Sequence, residues 1–253
     1  MEKTESVRSP APKRGGKMAD LALVDEVPVW LEINHKPAAT WMCTPDQLEQ
    51  LVVGWLHGEG YIDSLSDLTE LKPCATDLGF WVEIPTARVD AINAEERQRV
   101  LASGCGSVSV PLGDIGSLKT SAPRSDPPPV EQLRVLFKTL FGNGTRYRDT
   151  GGIHAAALTD GKQLFHHAED IGRHNAVDKV IGAALLEGGS AEGMGLLVTG
   201  RISAELAFKS ARAGIAYVAT PSVPSTLAAK IAQRSGVTLV GRAVSGSPHI
   251  HTP

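Results

Sequence analysis

Three thiols are available for chemistry, Cys43, Cys74 and Cys105, each 31 residues from the next. An odd number does not suit a disulfide framework, and the absence of a close pair such as C-x-x-C does not suit a structural zinc site. The pattern fits a reducing compartment in which chemistry falls to single thiols. Cys105 lies in Ser103-Gly104-Cys105-Gly106-Ser107, where glycine on both sides removes steric cover and lets a partner approach. A free thiol titrating near 8.5 is about 3% thiolate at pH 7, and lowering it to about 7 makes roughly half of it nucleophilic. The context fits a functional nucleophile or an incidental exposed thiol. Cys43, after Met42, and Cys74, after Pro73, read as spectators.

A second concentration of chemistry is Glu169-Asp170-Ile171-Gly172-Arg173-His174-Asn175-Ala176-Val177-Asp178-Lys179. A helix starting near Arg173 puts His174 and Asp178 at i, i+4 on one face, beside a stripe of Val177, Ile181 and Leu185. This is either an internal structural pair or part of a ligand site. The upstream run Thr150-Gly151-Gly152-Ile153-His154 and the segment Thr199-Gly200-Arg201-Ile202-Ser203 favour a site. The latter follows a strand pattern and opens a helix containing Glu205 and Lys209. Ligands of open α/β sheets bind at strand carboxyl ends, helix N-termini attract anions, and Arg201 adds a bidentate phosphate donor. It matches neither a Walker A motif nor G-x-G-x-x-G, so an ordinary strand–helix turn is the competing reading. Ser222-Val223-Pro224-Ser225 forms a similar link that could line the same crevice. His167-Ala168-Glu169 matches the H-x-E half of the zinc deaminase signature, but all three cysteines lie upstream and none is paired, so that metal site cannot be completed.

The elements that must position these groups are legible in the pattern. Val27–Ile33 alternates like a strand, with Ala38–Cys43 as its hairpin partner across His35-Lys36-Pro37. Thr44-Pro45-Asp46-Gln47 reads as a helix start, with Thr44 as N-cap and the helix running to about His57. Gly79–Ile84 and Ala87–Ile92 read as further strands. Residues 102–130, rich in Gly, Ser and Pro, read as a flexible loop carrying Cys105. Glu131–Phe141 is an amphipathic helix stopped by Gly142-Asn143-Gly144. Strands are then expected at His154–Thr159, Gln163–His167, Met194–Val198, Ile215–Ala219 and Val237–Val240, with helices at Arg173–Leu186, Ile202–Ala213 and Ser225–Arg234. This alternation implies a three-layer α/β core around a largely parallel sheet. The expected organisation is a disordered tail or appended extension over 1–22, a smaller N-terminal α+β part over 23–101, the loop over 102–130, and an α/β domain over 131–253.

Composition narrows the function. The chain has 253 residues with 25 Lys+Arg against 28 Asp+Glu, a net charge of −3, which excludes a globally basic nucleic-acid binder. No apolar run approaches the 18 or more residues of a membrane span, and the first 20 residues contain no apolar signal region. A soluble cytoplasmic protein is expected, without nucleic-acid or membrane partners.

Several long motifs in order are similar to one family. TGGIHAAAL (Thr150–Leu158), EDIGRHNAVDKVIG (Glu169–Gly182), TGRISAELAFKSARAG (Thr199–Gly214) and SVPSTLAAKIAQRSGVTLVG (Ser222–Gly241) resemble the formate dehydrogenase accessory sulfurtransferase (FdhD/NarQ) family. TPDQLEQLVVGWLHGEGYI (Thr44–Ile62) resembles it too, so the likeness runs from about residue 25 to the C-terminus. The resemblance implies a cytidine-deaminase-like α/β domain with no catalytic metal of its own. It implies a sulfurtransferase that takes sulfane sulfur from a cysteine desulfurase as a cysteine persulfide. The sulfur would go to the Mo/W-bis(molybdopterin guanine dinucleotide) cofactor, bound as substrate, before insertion into the formate dehydrogenase apoenzyme. Cys105 matches the family's persulfide cysteine in its C-G-x-C motif, but Val108 stands at the second cysteine position.

By the same resemblance the cofactor would meet Gly151, Gly152, His154, Asp170, Arg173, His174, Asn175 and Asp178 in the first two motifs. It would also meet Gly200, Arg201, Ser203, Lys209, Ser222 and Ser225 in the next two. At the C-terminus Arg242, Ala243, Val244, Ser245, Gly246 and Ser247 replace an aromatic- and arginine-rich tail associated with the cofactor. The sulfur loop and the crevice lie in different segments, so they meet within the fold or across a homodimer. Two other readings stand beside this one: a nucleotide-binding chaperone for the same maturation without covalent sulfur transfer, and a metal-dependent hydrolase using His154, His174 and Asp178.

Overall fold

The computed structural model describes residues 23–94, 99–101, 107–109 and 126–252. The first strands form a hairpin, β1 (Val27–Ile33) with β2 (Lys36–Cys43). Its turn is Asn34-His35, both at positive φ (48° and 61°), beginning one residue earlier than the expected His35-Lys36-Pro37. Asn tolerates that left-handed conformation at little cost, whereas Pro37 is barred from it. β3 (Glu70–Pro73) and β4 (Gly79–Glu83) complete a four-stranded sheet of order β2-β1-β4-β3, in which only β1 and β4 run parallel. Alternation sends Val29, Leu31, Ile33, Phe80 and Val82 into the core.

Helix α1 (Leu48–Gly58) starts later than its capping signature suggests. Gln47 occupies the cap position, and the Thr44 hydroxyl instead accepts the Ile171 N–H at 3.1 Å. Helix α2 (Thr86–Ala94) corrects the expected strand at Ala87–Ile92. Ala87, Val89 and Ala91 alternate, but Val89 and Ile92 are three apart and so share one helical face. The Pro85 carbonyl accepts the Arg88 N–H and opens the first turn. Strands β5 (Arg99–Leu101) and β6 (Ser107–Ser109) pair antiparallel, Leu101 opposite Ser107. Val108, at the second cysteine position, lies within β6. The loop expected over 102–130 is thus interrupted by β6, and its remainder at 102–106 and 110–125, including Cys105, lies outside the described residues, as does the expected tail at 1–22.

The second half contains α3 (Val130–Asn143), α4 (Thr145–Thr150), β7 (His154–Thr159), β8 (Leu164–Asp170), α5 (Arg173–Leu186), β9 (Gly195–Val198) and α6 (Ala204–Arg212). β10 (Tyr217–Ala219), α7 (Thr226–Ser235), β11 (Thr238–Gly241) and β12 (His249–His251) follow. The six-stranded sheet has the order β12-β11-β10-β9-β7-β8. Only β9–β10 and β10–β11 are parallel; the pairings β11–β12, β7–β9 and β7–β8 are antiparallel. The expected largely parallel sheet is therefore a mixed one. The short turn between β7 and β8 allows only an antiparallel hairpin, and β7 then inserts beside β9 in the opposite direction.

Helices cover both faces of this sheet. Leu133, Leu136, Phe137 and Leu140 of α3 pack on Ala155, Ala157, Leu197 and Tyr217. On the other face α5, α6 and α7 share one continuous core with α1 and the four-stranded sheet. α1 and α5 approach closely through two glycines. A Cβ at Gly54 would overlap the Asp178 carbonyl oxygen, and one at Gly182 the Gln50 carbonyl oxygen. Among the described residues no helix is long and apolar enough to cross a membrane.

Candidate functional site

The links leaving β9, β10 and β11 are stitched together at one edge of the sheet. Thr220 Oγ1 donates to the Gly200 carbonyl at 2.7 Å. The Ile202 N–H reaches the Val223 carbonyl at 3.2 Å, and the Ser225 N–H reaches the Ile202 carbonyl at 2.9 Å. The Arg242 N–H donates to the Ser222 carbonyl at 2.8 Å, and Ala243 N–H to the Thr220 carbonyl at 2.9 Å. Gly200, Ser203, Ser222, Ser225, Arg242 and Ala243 are thus brought to one place. Ser203 and Ser225 cap α6 and α7, accepting the N–H of Leu206 and Ala228.

Because β7 runs against β9, its first residue reaches the same edge. The Ala155 N–H donates to Thr199 Oγ1 at 3.0 Å, and His154 pairs across β8 with Asp170, just before α5. Arg173 crosses Gly200: a Cβ there would lie 3.0 Å from Arg173 Cδ and 3.4 Å from His154 Cε1. Glycine makes room for the arginine. The Arg173 Nε is buried and has no partner among the described residues. Arg201 and Arg242 are exposed, and Arg242 holds a left-handed φ of 52° that a non-glycine residue adopts only where its surroundings fix it. Burial, and then the charge of Arg173, lower the His154 pKa, although Asp170 opposes them. An edge carrying Arg173, Arg201 and Arg242 beside the free N–H groups of α6 can hold a phosphate-bearing anion.

Beneath this edge lies a buried polar network that takes up several of the expected contact residues. Asp170 Oδ1 accepts from the Gly172 N–H at 2.8 Å and from Asn175 Nδ2 at 2.9 Å. Asp170 Oδ2 accepts from the Thr44 N–H at 3.1 Å and lies 2.7 Å from Lys179 Nζ. Lys179 also donates to the Thr44 carbonyl and to Asp46 Oδ1, both at 3.0 Å. Lys209 Nζ meets Asp178 Oδ2 at 2.6 Å, with both side chains buried. Burial disfavours the Lys209 charge, but Asp178, Glu205 and Glu59 outweigh it and raise its pKa. Burial pushes Glu205 up to about 7, against the pull of Lys209. His174 Nε2 stands between Ser203 Oγ at 2.9 Å and Glu205 Oε2 at 3.3 Å.

Other expected residues fall elsewhere. Gly151 ends α4 at φ 64° and Gly152 adjoins Val24, both exposed beside His154. Glu169 anchors α4 by accepting the Arg146 and Tyr147 N–H groups at 3.1 and 3.0 Å. Val244 packs toward α3, while Ser245, Gly246 and Ser247 are exposed, the Gly246 carbonyl accepting Arg134 Nη2 at 2.9 Å. His154, His174 and Asp178 are engaged with Thr199, Ser203 and Lys209 respectively, so they do not converge as the hydrolase alternative requires. Cys43 is wholly buried and its thiol is pushed up to about 12, first by burial and then by Asp170. Thr220 was not singled out in the sequence, although it begins the β10 link as Thr199 begins that of β9.

The family model of the FdhD/NarQ family matches residues 24–253. This chain belongs to the FdhD/NarQ family. Relatives within it include sulfur carrier protein FdhD of Bacillus subtilis (strain 168), 34% identical over 235 residues, or 91% of this chain and 88% of that protein. Sulfur carrier protein FdhD of Staphylococcus haemolyticus (strain JCSC1435) is 32% identical over 231 residues, or 90% of this chain and 87% of that protein. A solved structure from Desulfotalea psychrophila, assigned as a formate dehydrogenase accessory protein, superposes with a TM-score of 0.70. It covers 90% of this chain and 87% of its own at 24% identity, an agreement of fold.

Proposed function

We propose that this FdhD/NarQ protein is a sulfur carrier in formate dehydrogenase maturation, passing sulfur from a cysteine desulfurase to a Mo/W-bis(molybdopterin guanine dinucleotide) substrate. Its FdhD relatives carry the name sulfur carrier protein. The observation that carries the reading is the stitched sheet edge, where the Arg173 side chain crosses Gly200 and the links bearing Arg201 and Arg242 adjoin an α6 N-terminus suited to phosphates. Cys105 is the proposed sulfur-bearing thiol, between β5 and β6 in sequence. Its thiolate attacks the outer sulfur of the desulfurase persulfide; a new S–S bond forms as the old one breaks, and the desulfurase thiolate leaves. No net electron transfer occurs and no second thiol is needed, in keeping with Val108 at the position of a second cysteine. A cytoplasmic homodimer with deaminase-like layering and the formate dehydrogenase apoenzyme as recipient belong to the same proposal.

The test is mass spectrometry after incubation with a desulfurase and cysteine. One added sulfur atom on Cys105 is expected in the wild type and none at that position in Cys105→Ser, with guanosine diphosphate binding retained by both. A Cys105→Ser protein that still activates formate dehydrogenase would leave a non-covalent escort of the cofactor in its place.

A further inference from the structure

The contacts of His174 are more than capping requires. Ser203 caps α6 with a lone pair alone, accepting the Leu206 N–H at 3.3 Å. Its hydroxyl has one proton and a second lone pair, and His174 Nε2 lies 2.9 Å from it. A bare Nε2 would draw the Ser203 proton inward. A protonated Nε2 would instead donate to the second lone pair and leave the Ser203 proton to point outward.

Glu205 decides between these. Its Oε2 lies 3.3 Å from the same nitrogen without a hydrogen bond to it, and the negative charge of the carboxylate beside the ring favours a proton on Nε2. Lys209, the ammonium that acts on Glu205, is bonded to Asp178. His174 and Glu205 are only 2% and 8% exposed, so water does little to relieve a mismatch, and a misdirected hydrogen bond is costly in such surroundings. We propose that His174, held as its Nε2–H form by Glu205, is a positioning residue that turns the Ser203 hydroxyl outward to donate to an anion at the start of α6. This rests on the reading of the sheet edge as a phosphate-binding site.

The charged groups around Glu205 are Lys209 on its own helix, Asp178 and Arg173 on α5, and Glu59 beyond α1. The experiment is therefore run at pH 8, where Glu205 is ionised, with guanosine diphosphate as the probe. Ser203→Ala should weaken binding about 10- to 100-fold, the scale of one hydrogen bond to a charged group. His174→Leu should weaken it by less because the freed hydroxyl can still turn either way, and the double variant should lose no more than Ser203→Ala alone. Nitrogen NMR of His174 should show the proton on Nε2 in the wild type. Glu205→Gln should shift it toward Nδ1 and weaken the probe to a similar extent.

Additive losses in the double variant overturn the proposal, as does an Nδ1–H imidazole in the wild type. The second reading is taken on the unsubstituted protein and decides the matter even where a buried variant does not fold. Absence of any nucleotide binding by the wild type removes the anion site itself, and the proposal with it. Binding with either overturning result leaves the site and removes only the role of His174.

Discussion

Lys179 Nζ and Asp170 Oδ2 lie 2.7 Å apart, and neither side chain is exposed. Asp170 closes the turn into α5 through Gly172 and Asn175, and it holds the end of β2 through Thr44. Lys179 reaches back to the same segment through the Thr44 carbonyl and Asp46. The N-terminal sheet is therefore fastened to α5 directly beneath the arginine-lined edge. The polar residues of the EDIGRHNAVDK motif divide by height: Arg173 faces the edge, while Asp170, Asn175 and Lys179 secure what lies under it.

The first prediction follows from this division. Asp170→Asn leaves Lys179 as a buried charge without its main partner and should destabilise the fold by about 3–5 kcal/mol in urea unfolding. Arg201→Ala removes an exposed side chain and should stay within about 0.5 kcal/mol of wild type. An Asp170→Asn protein of unchanged stability that binds nucleotide poorly would place Asp170 in the ligand site.

Gly54 and Gly182 predict a steric limit. Each faces a carbonyl oxygen of the opposite helix, so neither α1 nor α5 can accept a Cβ without separating. Gly54→Ala should lower stability by about 1–3 kcal/mol or more, the range for overpacking, despite alanine's better helix propensity. Gly142→Ala meets open space in α3 and serves as the control. A Gly54→Ala melting temperature at or above wild type would contradict the close approach.

His57 predicts a pH dependence. Burial, reinforced by Arg212 and opposed by Asp63, lowers its pKa from 6.5 to about 4. Between those values the unfolded chain binds a proton that the native state refuses, so this residue's contribution falls as pH drops. Over about 2.5 pH units the loss approaches about 3 kcal/mol. Glu205, raised from 4.5 to about 7, works in the opposite sense, since the native state takes up its proton first and gains as pH falls through that window. The two nearly offset in wild type. His57→Gln should therefore gain up to about 3 kcal/mol relative to wild type between pH 7 and pH 4, read by urea unfolding at each pH. Parallel stability curves would sink the assignment.

The contrast between legible and hidden features follows the range of the interactions. The α5 bounds at Arg173 and Leu186, and β1 at Val27–Ile33, agree residue for residue with the sequence pattern because local periodicity decides them. The α2 segment misled because Ala87–Ile92 satisfies both a two-residue and a three-residue spacing. The sheet was misjudged because strand direction depends on where β7 inserts, which no local signal records. In the site, Gly200–Ser203 and Ser222–Ser225 were readable as strand-end links. The fate of Asp170 was not: Thr44 is 126 residues away, and its TPDQ context advertised a helix cap instead. The i, i+4 spacing of His174 and Asp178 held within α5, yet their partners, Ser203 and Lys209, come from the next strand–helix unit.

The last prediction tests the edge itself. Arg173 and Arg201 approach it from different elements, α5 and the β9 link, and a Cβ on Gly200 between them would be tight against Arg173. Guanosine diphosphate at one hundred times its dissociation constant should stabilise the wild type by about 2.7 kcal/mol. Arg201→Ala should remove most of that gain while leaving the unliganded melting temperature in place, because it deletes a charge-assisted contact and nothing buried. Gly200→Ala should act in the same direction by a different route. Its new methyl would lie 3.0 Å from Arg173 Cδ and shift that side chain by a few tenths of an ångström, so the liganded melting temperature falls slightly further than the unliganded one. Thermal unfolding of the three proteins with and without nucleotide separates these effects. If the wild type gains nothing from nucleotide, the three arginines and the α6 N-terminus are not a phosphate site. If both variants keep the full gain, the nucleotide binds elsewhere.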